Sequence, residues 1–586
     1  MVFFFEDAKG ARPLVRVLRR GGGLPWADLA AFLLLAGLTV LVIHGTEQMD
    51  APLAQLRSVP VTLDVARLPE YALRTTLRMF AALFASLIFT FTVATLAAKS
   101  KKAELIIVPA LDILQSVPVL GFLTFTVTMF MGWFPGSQLG AECAAIFAIF
   151  TAQAWNMAFS FYQSLRTLPS DLDEVTQQFG FSPWRRFIRL ELPYAIPGLV
   201  WNMMMSMSGG WFFVVASEAI TVGKTTVTLP GIGSWLSLAI AREDFKSVWI
   251  GVAAMAVVII AYDQLVFRPI VAWADKFRFE QTTSQEAPQS WLYDLVRQTK
   301  FLRQGVDIIL WPLHWLAALE WSRLPSVPKV RVSLSTRTTQ VIDAIWIGLV
   351  ILACAYAVWL LTDFITRHLT LLDVVTTFGL GAVTLVRVVV LIAIASAIWV
   401  PIGVWVGLRP AWAERLQPIA QFLAAFPANV LFPFAVMAIV AFKLDPNIWL
   451  SPLMILGTQW YILFNVIAGA SAIPGDMKEV AGIFAIKRWQ WWRQIVLPAI
   501  FPYYVTGALT ASGGCWNASI VAEIVSWGDH HLEAVGLGTF IAKATASGDY
   551  PRVALGIAVM SIFVIAFNRT IWRPMYRYAE RRLRIN

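Results

Sequence analysis

Gly223-Lys224-Thr225 matches the last three positions of a phosphate-binding loop, in which the lysine and the hydroxyl hold a nucleotide's phosphates and its magnesium ion. That loop also needs a preceding strand and a glycine five residues before Gly223, where Glu218 stands. His530-His531, between Asp529 and Glu533, carries metal-ligating side chains, but one adjacent pair in a loop reads as a solvated turn. Cys143, Cys354 and Cys515 lie far apart, each in apolar sequence, and suggest neither a disulfide framework nor a metal site. No Ser/His/Asp or Cys/His set converges on one loop. The chain is therefore expected to hold no catalytic residue, no metal and no cofactor of its own, and not to hydrolyse ATP.

Charge is concentrated elsewhere. "EVTQQFGFSPWRRFIRLELP" (174–193) and "EVAGIFAIKRWQWWRQIVLP" (479–498) are charged interruptions in a chain of 586 residues that is 58% hydrophobic and only 14% charged. Soluble domains average about 25% charged. Apolar runs of the length that crosses a bilayer as a helix recur, and the pattern lacks the alternation of barrel strands. Twelve spans can be drawn, six per half: roughly 27–44, 72–98, 103–131, 139–163, 196–217 and 247–268, then 341–361, 378–408, 417–442, 446–470, 502–522 and 552–572. With both termini in the cytoplasm, Lys99, Lys101, Lys102, Arg185, Arg186, Arg189, Lys487, Arg488, Arg493 and the arginine-rich tail all fall inside. The net charge of +10 thus reports membrane orientation, not nucleic-acid binding. Residues 1–273 and 341–586 form two units, and the first apolar run reads as an uncleaved span. Residues 274–340, with an amphipathic "WLYDLVRQTKFLRQ", read as an interfacial linker.

The halves repeat. Adding 305 carries Glu174 to Glu479, Pro193 to Pro498, Trp211 to Trp516, Glu218 to Glu523 and Gly231-x-Gly233 to Gly536-x-Gly538. Earlier the offset is 309, with Arg78 matching Arg387. Both copies keep one orientation, which makes them parallel repeats about an axis along the membrane normal. The expected fold is all-α and polytopic, two repeats of about six transmembrane helices.

Each charged stretch begins with a short helix. Ser170 precedes acids in a first turn, Val175 and Phe179 share a face, and Gly180 suits a left-handed cap. A second helix is expected to run from about Pro183 and stop by Pro193. In the repeat Val480, Ile483 and Phe484 supply the apolar knobs and Ala485 replaces the glycine. A short helix with exposed apolar knobs needs a partner's groove.

Glu174, Gly180 and Leu192-Pro193, with Glu479, Ala481 and Leu497-Pro498, resemble the cytoplasmic EAA loop of permeases of binding-protein-dependent ABC importers. Asn465-Val466-Ile467-Ala468-Gly469, Glu218 and Glu523 with their Gly-x-Gly turns, and Pro118 and Pro427 resemble more narrowly the nitrate/sulfonate/taurine/bicarbonate group. Nearly the whole chain is covered, as in a duplicated, fused permease with type I importer-like transmembrane domains in a bacterial inner membrane. The resemblance implies that Glu174, Val175, Phe179, Gly180, Glu479, Val480, Phe484 and Ala485 couple to a cytoplasmic ABC ATPase carrying ATP and magnesium, used as two copies or two paralogues. It also implies a periplasmic substrate-binding protein and a small, anionic solute. Thr176 in place of alanine, Ala485 in place of glycine and Ser160 in place of asparagine depart from the family pattern. The competing reading is a twelve-helix secondary transporter driven by an ion gradient, which has no need of paired docking helices.

Pathway and gate candidates sit on the most polar core spans: Asn202, Ser206, Ser208, Trp211 and Glu218, and in the second half Thr510, Ser512, Trp516, Asn517 and Glu523. Small residues there also suit close helix packing. Glu218 and Glu523 fit two roles, a cap on the Gly-x-Gly turn or an outer gate. Arg78 and Arg387 are expected to snorkel to headgroups, with attraction of an anion as the alternative.

Overall fold

A computed structural model describes residues 61–116, 129–277, 290–299 and 362–582, with a few isolated positions added or left out. The spans expected at 27–44 and, for the most part, 341–361 lie outside the described residues, as does 301–340 of the linker.

The first repeat runs through α1 (Val65–Lys99), α2 (Lys101–Ser116), α3 (Leu139–Arg166), α4 (Ser170–Gln178) and α5 (Pro183–Glu218). It ends with a hairpin of β1 (Ala219–Val222) and β2 (Thr225–Thr228), then α6 (Ile232–Ala241) and α7 (Phe245–Phe277). The linker contributes α8 (Trp291–Gln298), which packs against the end of α7. The second repeat gives α9 (Leu371–Gly407), α10 (Pro410–Ala425), α11 (Phe432–Ala441), the bent pair α12 (Pro446–Leu456) and α13 (Trp460–Ser471), α14 (Gly475–Ile483) and α15 (Arg488–Ala522). A second hairpin, β3 (Ile524–Trp527) with β4 (His530–Glu533), precedes α16 (Leu537–Ser547) and α17 (Tyr550–Ala579).

Among the described residues seven helices are long and apolar enough to cross a bilayer, eight if the bent pair counts as one. The span expected at 417–442 is broken, because Phe426 is extended before Pro427 and a short 3-10 turn, Ala428–Leu431, intervenes. The residue before a proline is pushed out of the helical region. Apart from the two hairpins the elements of the described residues are helical. Register in the hairpins is equivalent, with Ala219 opposite Thr228 and Ile524 opposite Glu533. Thr225 therefore lies in a strand that does not open a helix, and the phosphate-loop match has no structural counterpart.

Equivalent helices pack alike in the two repeats: α3 along α1 and α5, α13 along α9 and α15. The repeats also exchange contacts. The last helix of each lies on the second helix of the other, α7 on α10 and α17 on α2, and β1 meets α16 as β3 meets α6. Phe245 and Trp249 interleave with Phe434 and Trp527 across this boundary, with ring centroids 5.0–6.3 Å apart.

Several prolines lie inside continuous rods, four of them just after a widened turn. Pro193, Pro269, Pro498 and Pro574 each follow directly on a π turn: Phe187–Glu191, Asp263–Phe267, Trp492–Val496 and Asn568–Trp572. The expected helix stop before Pro193 is thus corrected, since α5 runs through it. A proline lacks the amide that the preceding turn would use, and its ring crowds the carbonyl four residues back. A widened turn shifts that bonding by one residue and lets the rod continue.

Gly180 ends α4 with φ +63°, as its position predicts, and Ala485 adopts the same left-handed conformation after α14, with φ +51°. An L-residue there is strained by about 1–2 kcal/mol. Ala485→Gly is expected to relieve about 1 kcal/mol. Hydrogen exchange of the Ile486 amide, which donates to Ala481 O at 2.9 Å, should slow roughly fivefold at that value; an unaltered rate would count against strain at this cap.

Candidate functional site

Beyond the end of α5 in the first repeat, α6 begins at Gly231-Ile232-Gly233 with amides that no helical turn can satisfy. Two side chains from elsewhere accept them. Thr75 Oγ1 of α1 takes the Ile232 N–H at 3.0 Å, and Glu218 Oε2, from the end of α5, takes the Gly233 N–H at 2.6 Å. A side chain at Gly231 would run into the Glu218 carboxylate, and one at Gly233 would meet Val215 O at 2.7 Å. The glycines are there because a carboxylate and a helix start occupy one place. The other oxygen, Glu218 Oε1, accepts from Thr75 Oγ1 and Arg78 Nη1, both at 2.7 Å.

Arg78 is the centre of this cluster. Its Nη1 also donates to Pro230 O at 3.0 Å, while Nε and Nη2 grip both oxygens of Glu142 from α3 at 2.5 and 2.7 Å. Arg78 and Glu218 are 0% exposed and Glu142 is 1% exposed. The snorkelling expected of Arg78 is therefore corrected: the guanidinium is sealed inside the repeat. A charge in the membrane is tolerated when it is paired and fully hydrogen-bonded.

The second repeat copies half of this. Thr384 Oγ1 accepts from Leu537 N at 2.9 Å, Glu523 Oε2 from Thr539 N at 3.1 Å, and Glu523 Oε1 from Thr384 and Arg387 at 2.9 and 3.1 Å. The position matching Glu142 is Asn447, which is exposed and turns its Oδ1 to the amide of Val535 at 2.8 Å. Pro230, the counterpart of Val535, has no such amide. Glu218 and Glu523 thus sit as caps of α6 and α16, almost closed to solvent.

At the ends of α5 and α15 away from Glu218 and Glu523, α4 and α14 present apolar knobs. Phe179 is 75% exposed, Phe484 73%, and Val175, Val480 and Ile483 are also exposed. Glu174 and Glu479 lie on exposed faces too, while Thr176 and Ala481, one turn inward, are buried. Thr176 departs from alanine without opening that face, because its hydroxyl bonds back to Asp173 O at 2.8 Å. The two helices are tied to the membrane rods differently. In the first repeat an ionic chain runs from Asp173 of α4 through Arg186 (2.6 Å) to Glu191 (3.0 Å) of α5 and on to Lys99 (2.9 Å) at the end of α1. The matching positions are Lys478, Trp491, Val496 and Leu408. There the last three join the apolar core instead.

Mid-membrane, Asn202 Nδ2 donates to Ser160 Oγ at 2.9 Å and to Gly198 O at 3.2 Å, which joins α5 to α3. The matching pair is inverted: Asn465 of α13 faces Gly507 of α15. Ser160 departs from the family's asparagine because its partner carries the amide. Tyr461 reaches Met205 O in the other repeat at 3.5 Å. Ser206 is buried with no partner for its hydroxyl, and Ser512 is buried as well. Thr510 bonds back to its own helix at Thr506 O (3.0 Å), and Asn517 to Gly513 O (3.3 Å). Trp211 meets Tyr262 edge-on at 5.8 Å and Trp516 stacks on Phe563 at 6.4 Å, so each indole is packed against the last span of its own repeat. The side chain of Ser208 lies outside the described residues.

Sequence reasoning missed Glu142, Thr75, Thr384 and Glu191. A lone acid near the start of an apolar run, as Glu142 is, was the available signal; nothing local names Arg78 as its partner, 64 residues away in sequence.

Comparison with known proteins gives the following. A family model described as "Binding-protein-dependent transport system inner membrane component" matches residues 90–268 and again 399–585. The nitrate import permease protein NrtB of Leptolyngbya laminosa is 28% identical over 190 residues, 32% of this chain and 64% of that protein. The bicarbonate transport system permease protein CmpB of Synechococcus elongatus is 30% identical over 188 residues, 32% of this chain and 64% of that protein. The glycine betaine/proline betaine transport system permease protein ProW of Escherichia coli is 26% identical over 168 residues, covering 29% and 43%. The chain thus spans 64% of the length of the first two.

Removing one partner of a buried ion pair strands the other charge, at a cost of about 3–5 kcal/mol. Glu142→Ala is expected to lower stability by that amount in thermal unfolding of the purified chain, whereas Asn447→Ala, at the exposed matching position, should cost about 1 kcal/mol or less. Equal losses at the two positions would contradict the asymmetry.

Proposed function

The chain belongs to the family of binding-protein-dependent transport system inner membrane components, and from that premise we propose that it is both permease halves of an ATP-driven importer in one polypeptide. The single observation that carries this is the pair α4 and α14, equivalent in both repeats, each presenting apolar knobs that nothing among the described residues covers. A cytoplasmic ATPase, as two copies or two paralogues, seats these helices in its grooves. Val175 and Phe179, with Glu174 and the Gly180 cap, engage one; Val480 and Phe484, with Glu479 and Ala485, engage the other. ATP and its magnesium ion belong to that partner. An ion-gradient carrier has no use for such helices.

Closure of the ATPases drives α4 and α14 together, and two different linkages carry the motion upward. The ionic chain Asp173–Arg186–Glu191–Lys99 moves the first repeat, and packing of Trp491, Val496 and Leu408 moves the second. Through the unbroken rods α5 and α15 the movement reaches Glu218 and Glu523, which hold α6 and α16 to α1 and α9. The outer ends then move as units, separating the interleaved ring cluster of Phe245, Trp249, Phe434 and Trp527. A periplasmic binding protein delivers the solute to that opening. The solute is a small oxyanion of the kind named for the nitrate and bicarbonate permeases, passing beside Asn202, Ser206 and Ser208 and beside Thr510, Ser512 and Asn517. Glu218 and Glu523 order the gate and do not touch cargo, since a carboxylate is a poor ligand for an anion. Both termini lie in the cytoplasm of a cell whose inner membrane holds the chain.

Phe179→Asp combined with Phe484→Asp is expected to abolish co-purification of the ATPase while the permease still reaches the membrane; retention of the ATPase would remove the docking assignment. Glu523→Gln weakens the bond to Arg387 and is expected to reduce solute-stimulated ATP hydrolysis by the assembled complex about tenfold, one hydrogen bond to a charge being worth about 1.5 kcal/mol. Unaltered stimulation and transport would remove the gate role.

A further inference from the structure

The difference between Arg78 and Arg387 points to a binding site present in one repeat only. Arg78 uses its side-on edge, Nε and Nη2, to hold a planar carboxylate by two bonds. Arg387 keeps only the corner bond, Nη1 to Glu523. Among the described residues Glu523 is its one ion-pair and hydrogen-bond partner, so Nε and Nη2 have none. Neither nitrogen is sealed from solvent, and the side chain is 12% exposed where Arg78 is 0% exposed. The edge that Arg78 gives to Glu142 therefore has no counterpart bond in Arg387 among the described residues.

Among the described residues of the second repeat no second acid takes Glu142's part toward Arg387. Asn447, at the Glu142 position, is committed to the Val535 amide and to Asp445, with Nδ2 to Asp445 Oδ1 at 3.2 Å. Glu70 and Arg74, which form an ion pair one turn before Arg78, are matched by Gly379 and Val383. Formal charge follows the same line. Arg78, Glu142 and Glu218 sum to −1, whereas Arg387 and Glu523 sum to zero. One bound monovalent anion makes the two clusters equal. A guanidinium edge takes a planar two-oxygen group by two parallel bonds, a geometry that chloride, as a point charge, cannot reproduce.

We propose that the outer end of the second repeat binds a planar monovalent oxyanion from solution, held by Nε and Nη2 of Arg387 in the place that Glu142 fills beside Arg78. Bound there, the anion completes the charge pairing that holds α9, α15 and α16 together, which makes the stability of that end of the chain depend on anion concentration. The site does not depend on which solute the chain carries, because it is read from binding and not from transport.

The test is thermal unfolding of the purified full-length chain in detergent, exchanged into a buffer whose only anions are bulky sulfonates. Formate and nitrate are titrated at constant ionic strength against chloride and sulfate. Formate and nitrate should raise the melting temperature saturably, by roughly 2 °C or more, and chloride and sulfate should not. Asn447→Glu supplies a tethered carboxylate: it should raise the anion-free melting temperature and abolish the response. Arg387→Lys keeps a charge against Glu523 but loses the fork, and should weaken formate binding at least tenfold; this variant decides the matter if Asn447→Glu fails to fold. A wild-type response to chloride equal to that for formate would overturn the proposal. So would an undiminished formate response in Asn447→Glu or Arg387→Lys, or a response that arises only when anionic lipid is added, which would assign the edge to a headgroup.

Discussion

A carboxylate buried at the end of a membrane-length helix must find donors, and in this protein the donors it finds decide where four helices meet. Glu218 leaves the end of α5 and accepts from the start of α6 and from Thr75 and Arg78 of α1. Arg78, buried in turn, requires a second acid, which α3 supplies as Glu142. No member of the set is tolerable alone, since an unpaired charge in low dielectric costs several kcal/mol. The cluster therefore acts as a vertex that locks one end of the first repeat. Its counterpart around Glu523 has the same cap and the same threonine, but lacks the second acid.

Between this vertex and the opposite end of the molecule the protein uses rods. A proline inside a rod would ordinarily end or kink it, and Pro193, Pro269, Pro498 and Pro574 each come just after a π turn. The result is a stiff element that joins the region beside the exposed helices α4 and α14 to the capped outer ends. The two repeats build the joint at its base with different physics. One uses alternating charges in a chain of ion pairs, the other buries an indole and two aliphatic side chains. Ion pairs at the water boundary weaken with salt, while apolar contacts do not, so the halves of a duplicated molecule need not respond alike to their surroundings.

The same pattern of divergence with compensation explains the mid-membrane contact between the third and fifth helices. Each repeat places one amide there, Asn202 from α5 in the first and Asn465 from α13 in the second, opposite a small residue, Ser160 or Gly507. Read one position at a time, Ser160 looks like a loss; read as a crossing of two helices, the amide has moved to the other side. Two asparagines would collide and two small residues would leave a void.

Much was legible in the sequence, for local reasons. Hydropathy and length marked α1, α3, α5, α7, α9, α15 and α17, because a bilayer accepts only helices that bond their own backbone. The 305-residue repeat marked the two-fold plan. The knobs of α4 and α14 followed from helical spacing, and the left-handed Gly180 from the absence of a Cβ. What the tertiary structure alone decided are partnerships across many residues: Glu142 with Arg78, the threonines on the starts of α6 and α16, the exchange of the last helices between repeats. The π turns that carry α5 and α15 past their prolines, and the break at Phe426-Pro427, were also settled only by packing. Periodicity encodes which face of an element is apolar. It carries no information on which distant charge that face will meet, because that depends on how the helices are brought together.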